Sequence, residues 1–164
     1  MAFGPIIDVP LMSAIYAALL KFKNRLVSLI TKIPLPTILL ALLTALVTVT
    51  IEEHINCGAY GCTNVVLPPT IWFLIFEQLV IFLIIQHYHI KSLIKPLVWY
   101  AIFGILFEFI IGAGHAGLQQ LMVEQPIIFI LLMIWVGFSY IFALTLPLQV
   151  FYYGNERNKS SPKT

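Results

Sequence analysis

The chain has 164 residues, 60% of them hydrophobic and 10% charged, with a formal net charge of +2. Soluble domains carry about a quarter charged residues, so this composition excludes an ordinary soluble fold and predicts a single domain in a lipid bilayer. All nine Lys and Arg fall into separated groups, with Lys21, Lys23, Arg25 and Lys32, then Lys91 and Lys95, then Arg157, Lys159 and Lys163; no basic face interleaved with aromatics is present, so a nucleic-acid partner is excluded.

Met1–Pro10 has no basic residue ahead of its apolar positions and does not read as a signal peptide. Leu11–Ile33 reads as an amphipathic helix. Lys21, Asn24, Arg25, Ser28 and Lys32 fall on one face, and Leu19, Leu20, Phe22, Leu26, Val27, Leu29 and Ile30 cover most of the rest. That pattern predicts an interfacial helix with its basic face among lipid headgroups. The rival reading, a span over Leu11–Leu20, has about half of the roughly 20 residues that a crossing needs.

Pro34 and Pro36 interrupt the chain before a first span at about Thr37–Ile55. A loop punctuated by Gly58, Gly61, Pro68 and Pro69 follows, then a second span at about Thr70–His89 and a short basic hairpin, Lys91–Pro96. A third span is predicted at about Leu97–Leu118, with a polar hairpin at Gln119–Gln125. Pro126 opens a fourth at about Pro126–Val150, in the first-turn position where its missing N–H costs least. Phe151–Thr164 reads as a polar tail that frays.

The expected fold is therefore an all-α integral membrane protein with four transmembrane helices preceded by an N-terminal amphipathic interfacial helix. The expected organisation is residues 1–36, a four-helix transmembrane domain at 37–150, and a cytoplasmic tail at 151–164. Four spans place both termini on one side. The excess of basic residues on that side predicts a cell-membrane protein with both termini cytoplasmic. The expected partners are the bilayer and, given the short chain, further copies of itself.

Ionisable residues at bilayer depth are costly and mark functional sites by default. Glu77 lies roughly 10 Å, and Glu108 roughly 13 Å, along a helix from the outer ends of their predicted spans. A short hairpin makes those spans antiparallel neighbours, so the two carboxyls are expected at similar depth, sharing a proton or holding a divalent cation. His115 stands seven positions after Glu108, on the same stripe if the helix is continuous, and Gly104 and Gly112 share that stripe. Glu77, Glu108 and His115 are thus the expected catalytic or metal-ligating set. Glu52, Glu53, His54 and Thr48 are the expected substrate-facing residues nearer the outer surface, and Thr37, Thr44, Thr48 and Glu52 form a polar stripe at helical spacing.

The expected activity is proton or cation handling. An intramembrane enzyme acting on a lipid-like substrate through a carboxyl pair is an alternative. In a non-catalytic scaffold or assembly subunit, by contrast, the same acids serve as interhelical glue. Cys57 and Cys62 occupy the predicted outer loop, where a small disulfide is expected, with free thiols as the alternative. Their C-x4-C spacing, with no second cysteine pair, does not support a thiol relay that needs two C-x-x-C-like pairs.

Overall fold

The computed structural model describes the backbone of residues 4–60, 69–111 and 115–160, and the side chains of 9–55, 71–111 and 116–156. The described residues form helices and no strand: α1 (Gly4–Ile30), α2 (Thr37–Tyr60), α3 (Pro69–Tyr88), α4 (Ile94–Ile110), α5 (His115–Glu124) and α6 (Pro126–Ser160). Three helices are long and apolar enough to cross a membrane, over Thr37–Ile55, Ile71–Tyr88 and Pro126–Glu156. They coincide with the first, second and fourth predicted spans.

The third predicted span, about Leu97–Leu118, is divided between two helices. α4 has 17 residues, about 25 Å of helix, which is short of a hydrocarbon core of roughly 30 Å. It stops at Ile110 with Ile111 in a turn, and α5 begins at His115. The segment Gln119–Gln125, expected to be a polar hairpin, is helical through Glu124. Gln119 Nε2 donates to the Phe109 carbonyl at 3.4 Å, so α5 lies against the end of α4.

The tail is corrected as well. α6 continues to Ser160, and Phe151 is buried, stacked on Phe82 with centroids 4.9 Å apart. The Tyr152 hydroxyl donates to the carbonyls of Ile90 (2.5 Å) and Ser92 (3.2 Å). Aromatic residues after Val150 give α6 a surface to pack, and packing holds the helix where its polar end alone would fray. At the other end of the chain, α1 starts at Gly4 and passes through Pro10, well before the predicted Leu11.

The chain divides into two compact units, residues 1–93 with 142–164, and residues 94–141. The first contains α1, α2, α3 and the C-terminal half of α6. The contacts fix the helix directions within it. On α2, Thr48 meets Ala143 and Thr37 meets Gly154, so α2 runs antiparallel to α6. On α3, Gln78 and Phe82 meet Ala143 and Phe151, and Ile90 just after the helix meets Tyr152, so α3 runs parallel to α6. α1 packs on α2, and its Tyr16 hydroxyl lies 3.2 Å from Thr145 Oγ1.

In the first unit the outer faces of α2 and α3 are apolar, and polar side chains are buried among apolar ones such as Leu40, Val49, Phe82 and Leu144. On α2, Leu39, Leu43 and Val47 face outward, whereas Thr37, Thr44, Thr48 and Glu52 are buried; Val47 is 58% exposed and its neighbour Thr48 2%. On α3, Trp72, Phe76, Val80 and Leu83 are exposed while Glu77 and Gln78 are buried. In water the hydrophobic effect drives the opposite arrangement.

The second unit contains α4, α5 and the N-terminal half of α6. Tyr140 of α6 packs on Tyr100 of α4, centroids 5.0 Å apart. Gly104 makes this approach possible, since a Cβ there would stand 2.3 Å from Tyr140 Cδ1. Phe109 and Phe129 make a second edge contact at 5.6 Å.

Candidate functional site

The polar centre of the first unit starts from a proline. Pro147 lies inside α6 and has no N–H, so the carbonyl four residues earlier, that of Ala143, loses its helical donor. A buried carbonyl without a donor costs free energy, and two side chains supply donors here. Thr48 Oγ1 of α2 donates to Ala143 O at 2.7 Å, and Gln78 Nε2 of α3 donates to it at 3.4 Å. One backbone oxygen thus ties α2 and α3 to α6. Thr44, a turn before Thr48, instead donates to its own helix at Leu40 O, 2.7 Å away.

Both buried acids of the unit stand beside this tie. Glu77 precedes Gln78 on α3, and Glu52 follows Thr48 by four residues on the same face of α2. Because α2 and α3 run antiparallel, both acids lie to the same side of Ala143 O. Glu77 is about 1.5 Å above the level of the tie and Glu52 about 6 Å above it, from the helical rise. Glu52 is 4% exposed, Glu77 8% and Gln78 0%. These are side chains that almost never go under unless hydrogen-bonded, paired or protonated.

The other residues expected to line this region divide. Thr48 is buried within it. Glu53 is half-buried, and His54 is exposed, its Nδ1 2.7 Å from the Thr50 carbonyl of its own helix. α2 continues through Tyr60, so Glu52 and Glu53, near the end of the apolar stretch Thr37–Ile55, lie inside the helix. Cys57 belongs to that last stretch of α2 and Cys62 follows it; their side chains, and hence the expected disulfide, lie outside the described residues.

Glu108 belongs to the second unit. It is half-buried on α4, and the Tyr140 hydroxyl donates to Glu108 Oε1 at 3.5 Å, a long bond. Gly104, one turn earlier on α4, makes the room that seats the Tyr140 ring, and so positions the hydroxyl. His115 opens α5 and its side chain lies outside the described residues. Glu108 and His115 stand on different helices, α4 and α5, where the expected stripe assumed one continuous helix. Glu77 and Glu108 fall in different units, and each is placed only within its own. Among the described residues no group of three or more His, Cys, Asp or Glu converges as a metal site.

The sequence pattern passes over Gln78, Tyr16, Thr145 and the Ala143 carbonyl. The available signal is Pro147 in an otherwise unbroken apolar run, since a proline at position i names the carbonyl at i−4 that needs a new donor. No protein-family model, no curated protein and no solved structure matches this chain.

Proposed function

We propose that the chain is a small polytopic membrane protein that handles protons, or a cation in their place, at the buried acids Glu52 and Glu77. The carrying observation is the inverted α2, with Leu39, Leu43 and Val47 outward and Thr44, Thr48 and Glu52 inward. An apolar solvent favours that outward apolar face. In such a solvent a carboxyl is retained for pairing, proton exchange or ion binding. A proton requires a single carboxyl, and Glu52 and Glu77 stand close in height beside the Thr48–Ala143–Gln78 tie. In this reading α4, continued by the residues after it, makes the fourth crossing, and both termini are cytoplasmic. Glu108 with Tyr140 forms a second, separate acid centre.

The test is reconstitution of the full chain into vesicles with an internal pH-sensitive dye. Wild type is expected to dissipate an imposed pH gradient and Glu77→Gln to lose that ability while keeping its helical content. Equal dissipation by both would contradict the proposal.

A scaffold is the second reading, and the Pro147–Ala143 tie favours it, because Thr48 and Gln78 are occupied in holding helices together. It predicts that Glu77→Gln is silent and that Gln78→Leu is costly.

A further inference from the structure

The proton reading leaves α1 unused, yet α1 carries an open apolar surface lined by its own side chains. Ile15, Leu19, Phe22, Leu26 and Leu29 line an open groove of about 480 Å³, with Arg25 at its rim. The lining residues recur at helical spacing along one side of α1, next to the side that packs inward through Met12, Tyr16 and Val27. From Ile15 to Leu29 the groove runs about 21 Å, longer than one leaflet of a hydrocarbon core that is roughly 30 Å thick in all.

The charges beside it choose the occupant. Lys21, Arg25, Ser28 and Lys32 follow one another at helical spacing along the groove's polar edge, and the three basic residues are exposed. Lys21 Nζ stands 5.6 Å from the Phe22 ring centroid, at the border between the basic edge and the apolar wall. α1 has one acidic residue, Asp8 near its start, and none from Val9 to Ile30. A second copy docked over Lys21–Lys32 would bring two basic rows together. An anionic phospholipid matches both halves, with its acyl chain along the apolar wall and its phosphate on Arg25 and Lys21.

We propose that α1 is a binding site for an anionic phospholipid, formed by the Ile15–Leu29 groove and the Lys21–Arg25 edge. The proposal rests on the membrane reading above but not on the proton chemistry. The experiment is native mass spectrometry of the full chain in detergent, titrated with dioleoylphosphatidylglycerol or dioleoylphosphatidylcholine. Wild type is expected to retain phosphatidylglycerol at lower concentration than phosphatidylcholine. Lys21→Gln with Arg25→Gln should weaken that retention roughly tenfold or more and leave phosphatidylcholine unchanged. Leu26→Asn should weaken both lipids. Lys21 and Arg25 are exposed and Leu26 is half-buried, and unchanged helical content by circular dichroism confirms that each variant is folded. No preference for the anionic lipid in wild type, or an unchanged preference in the double variant, would overturn the site. So would a protein dimer in place of a lipid adduct. A chain that stays soluble without detergent would instead overturn the membrane reading itself, so the two failures are distinct.

Discussion

Ala143 shows how a single missing N–H organises a neighbourhood. Pro147 removes the donor, and Thr48 at 2.7 Å and Gln78 at 3.4 Å replace it. Thr48→Val should therefore cost about 1 kcal/mol of stability, the scale of an interhelical hydrogen bond in lipid. In a Pro147→Ala background the restored N–H serves the carbonyl, and the same change should cost much less. A double-mutant cycle on unfolding in mixed micelles reads the coupling, and additivity would show that Thr48 does not serve the carbonyl. His89 is a second local case. It closes α3 with φ 51°, and the Ile90 N–H bonds back to Ile85 O at 3.1 Å, the pattern in which glycine usually follows a helix. His89→Gly should hold or raise stability by up to about 1 kcal/mol, and His89→Val should lower it by roughly 1–2 kcal/mol, both read by thermal unfolding. At Gly104 a Cβ would stand 2.3 Å from the Tyr140 ring, so Gly104→Ala should lose roughly 1–3 kcal/mol in the same assay. At this scale the sequence exposes side-chain letters and hides the backbone. The spacing of Thr44, Thr48 and Glu52 is visible as a buried stripe, whereas the carbonyl that receives Thr48 has no letter of its own.

Among the elements, α2, α3 and α6 are legible because each is a long apolar run opened by proline or capped by polar residues, and hydropathy integrates over such a run. The end of α4 is not legible in the same way. Isoleucine and phenylalanine up to Ile111, followed by glycine and alanine, keep the hydropathy high across the point where the helix stops. The usable signal is conformational, since glycine is a poor helix former, and it points the same way as close helix packing does. The α6 extension is missed for the converse reason. Asn155, Glu156 and Arg157 read as a solvated tail, but Phe151 and Gly154 immediately before them are packed against Phe82 and Thr37. A Cβ on Gly154 would meet Thr37 Cγ2 at 2.5 Å, so Gly154→Ala should part α6 from the start of α2. Amide hydrogen exchange should then rise in residues 148–156 and 37–41 and stay unchanged in α4. No change in either segment would show that this contact does not hold the helix end.

At the largest scale, the first unit buries Glu52, Glu77 and several hydroxyls among apolar side chains while leucine, valine and phenylalanine also cover its outside, and the basic residues gather in segments that the proposed topology puts on one side. That topology places Cys57 and Cys62 outside. A membrane-impermeant thiol reagent should label them on intact cells after mild reduction, and labelling that needs permeabilised cells would reverse the orientation. The claim that joins the parts is that Glu52 and Glu77 are inward-facing carboxyls able to exchange a proton, or a cation in its place, and not permanently protonated packing groups. The most direct test is infrared difference spectroscopy of the carboxyl stretch during a pH titration of the full chain in lipid, on wild type, Glu52→Gln and Glu77→Gln. Wild type is expected to show a carboxyl band that appears and vanishes with pH, with part of it missing in each variant. A wild-type spectrum with no titrating carboxyl band, or one unchanged by both substitutions, would contradict the account and leave the polar seam as a structural tie between helices.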